Sequence, residues 1–132
     1  MRCIILEPIY SVSTTKSFDE AVKAVEEQTQ ASGFRVMYVH NVQATLEEKN
    51  FKIEPLKIIE VCNAKFASSA LEIDLAVSLL MPCKINVYSA EGQIVISTIR
   101  PTSLASIFNK PELKTFAEDV EKILIGIIDQ SK

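Results

Sequence analysis

Two runs, Cys83-Lys84-Ile85-Asn86-Val87-Tyr88-Ser89 and Gln93-Ile94-Val95-Ile96-Ser97-Thr98-Ile99, flank a turn at Glu91-Gly92, and their reading decides the fold. Both are rich in β-branched residues, and a short connection containing glycine joins them, which is the signature of a hairpin. A hairpin is antiparallel, so the sheet that holds it cannot consist of parallel βαβ units alone.

Working back from Cys83, Pro82 closes an apolar segment, 74–81, that is ambiguous between helix and strand. Before it, Leu56 to Cys62 reads as a strand, and Asn63 is placed to cap a helix running from Ala64 to about Glu72. Residues 34–42 read as another strand, with Phe34, Val36, Tyr38, His40 and Val42 on one side and Arg35, Met37, Val39 and Asn41 on the other. A short helical turn is expected over 43–49, then a connection to Pro55. Near the start, residues 3–13 read as a strand bent at Pro8. Ser17-Phe18-Asp19-Glu20 is a capping box, and Gly33 supplies the left-handed stop of the helix it opens. Beyond the hairpin, 101–108 predicts a helical turn. Asn109-Lys110-Pro111-Glu112 then opens a long helix with an asparagine cap and an early proline.

The expectation is one α+β domain over 1–132, with a mainly antiparallel sheet and two long helices on one face. The order is β-α-β(4)-α, with an extra short helix after the third strand. Several strands are apolar on both sides, so the second face is expected to be covered by the 64–72 segment, by a partner subunit, or by both.

Composition narrows the function classes. Apolar residues make up 48% and charged residues 23%, ordinary values that exclude a disordered chain. The net charge is −3 with no basic stripe, which speaks against nucleic acid as a partner. No segment is long and apolar enough for a membrane span, and the first apolar run is too short for a signal peptide. An odd count of three cysteines suits a reducing compartment, so a cytoplasmic location is expected.

The candidate site centres on Cys62 and Cys83. Cys62 ends a strand immediately before a helix start, where partial positive charge and free amides favour a thiolate. The competing reading makes it a small apolar side chain at a tight junction. Cys83 begins the next strand and shares parity with Ile85 and Val87, which points it into the core. If these two strands are antiparallel neighbours, the end of one lies beside the start of the other and the thiols approach. Glu60 lies on the strand face of Cys62 and reads either as a proton carrier or as the solvated end of an edge strand. Lys49 is a candidate charge partner for a thiolate. His40, the single histidine, sits on the apolar side of its strand and reads as a half-buried residue. No C-x-x-C or H-x-x-x-H spacing exists, so neither a metal nor a cofactor is expected. No phosphate loop, nucleophile elbow or Ser/His/Asp set is present, and catalysis stays an open question.

Gly33-Phe34-Arg35-Val36, Thr45-Leu46 with Lys49, Cys62-Asn63-Ala64-Lys65-Phe66-Ala67, Ala70-Leu71 and Leu79-Leu80-Met81-Pro82-Cys83 follow one another in the order of a known pattern. From about Phe18 to Pro101 the chain resembles the domain of unknown function 302 family. Ala64 stands where that family usually has proline, and Phe66 where leucine is common. The resemblance implies a β-α-β(4)-α arrangement similar to the TATA-box-binding protein fold, and often a homodimer. It marks Lys49, Cys62, Asn63, Pro82 and Cys83 as signature positions, and it implies no activity.

Two functional expectations follow. In the first, the domain binds a small molecule or acts in a redox-linked role, with Cys62 as the reactive thiol, Cys83 its neighbour, Asn63 the cap and Lys49 a charge partner. In the second, it is a non-catalytic homodimer whose cysteines pack and whose apolar sheet forms the interface.

Overall fold

The computed structural model describes residues 7–132, so Cys3 and the first part of the strand expected over 3–13 lie outside the described residues. The elements are β1 (Ile9–Thr14), α1 (Phe18–Ala31), β2 (Arg35–Asn41), α2 (Val42–Glu47), β3 (Leu56–Cys62), α3 (Ala64–Ile73), β4 (Cys83–Ala90), β5 (Gln93–Ile99), α4 (Pro101–Ala105) and α5 (Pro111–Ser131). Two 3-10 helices, Leu75–Leu80 and Ser106–Phe108, follow α3 and α4. The ambiguous apolar segment is therefore the first of these 3-10 helices.

The five strands form one antiparallel sheet in the order β1-β5-β4-β3-β2. Because β1 and β2 are the two edges, α1, which joins them, has to cross the whole sheet. It does so beside α5, and both helices lie on the same face. The capping box opens α1 as the sequence dictates: Glu20 N donates to Ser17 Oγ at 3.2 Å, and Ser17 N donates to Glu20 Oε1 at 3.1 Å. Ala21, Val22, Val25 and Thr29 are the buried stripe of this helix. Gly33 follows it at φ +85°, a conformation that glycine adopts without steric cost.

The core lies between that helix pair and the sheet. Ile59, Ile85, Ile96, Leu124 and Ile128 are completely buried there. Truncating any one of them to alanine should cost about 2–5 kcal/mol, because lost transfer energy and a residual void add together. No described helix is long and apolar enough to cross a membrane.

Three local expectations are corrected. A bulge between Val36 and Tyr38 inserts one residue into β2, so that Val36 opposes Val61 while Tyr38 opposes Glu60. Simple alternation fails across it. Val36 and Val39 consequently pack on the core, whereas Tyr38 and His40 lie on the opposite face and are exposed. The segment expected to cover that second face does not cover it. α3 packs against α5 and the following 3-10 helix, on the same side as the long helices. Finally, Asn109 is not the cap of α5. It takes a left-handed conformation at φ +50° after the second 3-10 helix, and Lys110 occupies the cap position without a side-chain hydrogen bond.

Candidate functional site

The β3–β4 ladder pairs Val61 with Cys83, so Cys62 stands one residue beyond the start of β4. Asn63 then leaves the sheet and caps α3. Its Oδ1 accepts from Phe66 N at 3.1 Å, and its Nδ2 donates to Gly33 O at 3.1 Å. One side chain thus ties the start of α3 to the loop between α1 and β2. This anchoring places Phe66 between Phe34, at 6.0 Å between ring centroids, and Phe116 of α5, at 5.3 Å in an edge-on arrangement.

Beneath these rings lies a cavity of about 50 Å³, whose walls include Cys62, Asn63 and Cys83. A larger cavity of about 140 Å³ adjoins it. The ends of β4 and β5 form its floor with Cys83, Lys84, Thr98 and Ile99, and α5 contributes Phe116, Ala117 and Val120. The remaining walls are short segments: Val77, Leu80 and Met81 on one side, Pro101, Leu104 and Ala105 on the other. Met81, Pro82, Cys83, Phe116 and Val120 line both cavities, so they share one wall.

The two thiols differ in their surroundings. Burial pushes the Cys83 thiol up to about 11, the nearby Cys62 adds to the rise, and Lys84 opposes it. Cys83 is therefore a neutral thiol at physiological pH, a weak nucleophile. Cys62 is half-buried, and both thiols are free.

The sequence also pointed to Glu60 and Lys49, and the fold keeps both out of these cavities, Glu60 by sheet face and Lys49 by distance along the sheet. Glu60 belongs to the sheet face turned away from the long helices, where its Oε2 lies 3.1 Å from His40 Nε2. The His40 ring in turn packs on Tyr38, 4.5 Å between centroids. Lys49 is exposed in the turn after α2. That turn follows the Asn41 end of β2, which pairs with Lys57, whereas Cys62 pairs with Arg35 at the other end. The length of the sheet thus lies between Lys49 and Cys62.

The cavity walls supplied by Leu75–Leu80 and Pro101–Ala105 were not legible as site residues. Their one signal in the sequence is apolar content in segments too short to build a core of their own.

An antiparallel five-stranded α+β domain with a thiol in the wall between two apolar cavities is the class that fold and site define. Residues 10–131 match the family described as Domain of unknown function DUF302. The chain belongs to that family. It is also similar to the crystal structure of an uncharacterised conserved DUF302 protein from Bacillus stearothermophilus. The two share 33% sequence identity and a TM-score of 0.93 over 96% of this chain and 100% of the other. Comparison with curated proteins gave no match.

Proposed function

We propose that this domain binds a small molecule in the paired cavities at the Cys83 end of the sheet, with Cys62 as its reactive thiol. The observation that carries this reading is the shared wall of Met81, Pro82, Cys83, Phe116 and Val120. A molecule in the larger cavity would lie against the neutral Cys83 thiol, with Cys62 lining the space beyond that wall. Asn63 has a positioning part, since it holds the strand–helix junction that carries Cys62. Two experiments test the reading together. Native mass spectrometry of the purified protein is expected to show a bound small molecule that the cavity-filling variant Ala117→Leu lacks. Alkylation under native conditions is expected to label Cys62 ahead of Cys83, with Cys62→Ser removing the fast phase. No bound mass, combined with both thiols labelling only on unfolding, would overturn it.

A second reading is a non-catalytic homodimer joined through the face of the sheet opposite the long helices. The exposed Ile9–Ile99 cross-strand pair favours it. Sedimentation velocity at micromolar concentration decides this point. A monomer there would remove the reading, and a dimer dissociated by Ile99→Lys would support it.

A further inference from the structure

We propose that the 140 Å³ cavity selects a neutral, compact, apolar ligand, either a single aromatic ring or a branched hydrocarbon of similar volume, and rejects the same ring carrying a charge. This rests on the small-molecule reading above and narrows it to a ligand class. Size is the first argument, because apolar cavities of about 150 Å³ admit benzene.

The chemistry of the wall is the second. Lys84 supplies the one charged residue among the lining, but it opposes Glu60 in the β3–β4 ladder, and its exposed side chain belongs to the other face of the sheet. Thr98 Oγ1 already donates to Lys84 O at 2.6 Å. The Cys83 thiol is neutral, held there by burial. Nothing in the wall compensates a carboxylate or an ammonium group, so a charge held against it loses hydration without gaining a partner. The edge of Phe116 and the thioether of Met81 instead suit an aromatic ring.

Access is the third. Leu75, Leu79 and Ile107 are 76%, 84% and 71% exposed, and all three lie on the two 3-10 helices beside the cavity. Large apolar side chains so exposed give an uncharged solute a surface to reach first.

The test compares toluene, benzoate and benzylamine on the full chain, read by melting temperature and by methyl NMR of Leu104, Leu113 and Val120. Toluene is expected to raise the melting temperature and to move these methyl signals, while the two charged rings at equal concentration do neither. Ala117→Leu, which fills the cavity, should weaken toluene binding about tenfold or more. Should that variant fold poorly, Ala105→Val does the same from the opposite wall. Benzoate or benzylamine binding as tightly as toluene, at the same methyls, would overturn the ligand class and leave the small-molecule reading in place. Unmoved methyl signals with all three probes would overturn the ligand class, and the small-molecule reading would fall with it only if native mass spectrometry also found no bound mass. Toluene binding undiminished in both filled variants would show that it binds elsewhere, and so would refute the cavity assignment.

Discussion

Val61 and Cys83 face each other across the β3–β4 ladder, and this pairing sets the character of both thiols. Val61 is fully buried beneath the helices, so Cys83, its partner on the same side, is drawn into apolar surroundings. Cys62 lies one residue further on, where β3 ends and Asn63 turns the chain into α3. Adjacent register positions thus hold two partly buried thiols, and desolvation on the core side raises the one at Cys83.

A pH dependence follows from Cys83. Its thiol ionises at about 11 in the folded chain, against an ordinary value of 9.0. Between those two values the unfolded chain has lost the proton and the folded chain keeps it, so stability falls as pH rises through that window. The loss attributable to this group should approach about 2–3 kcal/mol. Urea titrations between pH 8 and 12 are expected to show a steeper alkaline decline for the wild type than for Cys83→Ala. Parallel declines would mean that the thiol is not held neutral by burial.

The hairpin, the capping box of α1 and the Asn63 cap were all legible because each is encoded by neighbouring residues. Glu91-Gly92, Ser17 with Glu20, and Asn63 with the Phe66 amide act within a few positions of one another. The face of β2 was not legible, since one bulged residue reverses the alternation and nothing near Met37 announces it. For the same reason His40 was placed among apolar neighbours, whereas it meets Glu60 on the exposed face. The site was half legible. Antiparallel pairing brings Cys62 and Cys83 around one cavity, as strand order suggests, but the larger cavity assembles residues some fifty positions apart, from Ala70 to Leu124. Lys49 shows the converse, a pattern position that the topology carries to the far end of the sheet.

The hairpin turn offers a test of backbone strain. Glu91 and Gly92 both have positive φ, +51° and +79°, the geometry of a type I′ turn. Glutamate pays for the left-handed region, while asparagine tolerates it. Glu91→Asn is expected to stabilise the fold by roughly 0.5–1 kcal/mol, measured by thermal or urea unfolding. Glu91→Val should destabilise it. A neutral result for both would remove strain at Glu91 as a factor.

Asp74 links two walls of the cavity. Its Oδ1 accepts from Ala76 N at 2.9 Å, capping the Leu75–Leu80 helix, and its Oδ2 lies 3.0 Å from Lys110 Nζ ahead of α5. The Ala76 amide first, then Lys110, hold its carboxyl below the usual carboxylate range. A depressed value contributes stability above the ordinary pKa and loses it as pH falls through the folded one. Amide exchange over 74–81 is therefore expected to quicken in Asp74→Ala more than in Asp74→Asn, which keeps an oxygen for the cap but loses the charge. Exchange at the wild-type rate in Asp74→Ala would show that neither contact holds this wall.

Glu121 holds the opposite wall, and it does so from another helix. α4 begins at Pro101, which has no amide hydrogen, and Arg100 before it supplies no side-chain cap. The first unsatisfied donor is then Thr102 N, and Glu121 Oε1 of α5 accepts from it at 3.1 Å and from Thr102 Oγ1 at 2.7 Å. The other oxygen lies 3.4 Å from Arg100 Nη1, and Arg100 Nε donates to Glu7 O at 2.8 Å. A half-buried carboxylate that serves three donors leaves all of them unpaired when removed. Glu121→Ala is accordingly expected to cost about 2–3 kcal/mol in urea unfolding, whereas Glu121→Gln, which keeps an acceptor for Thr102, should cost about 1 kcal/mol. Pro101, Leu104 and Ala105 face the cavity from this helix, so Glu121→Ala should also quicken amide exchange across 101–108. A loss below about 0.5 kcal/mol for the alanine variant would mean that water replaces the carboxylate at the α4 terminus and that the cross-helix cap is not what holds this wall.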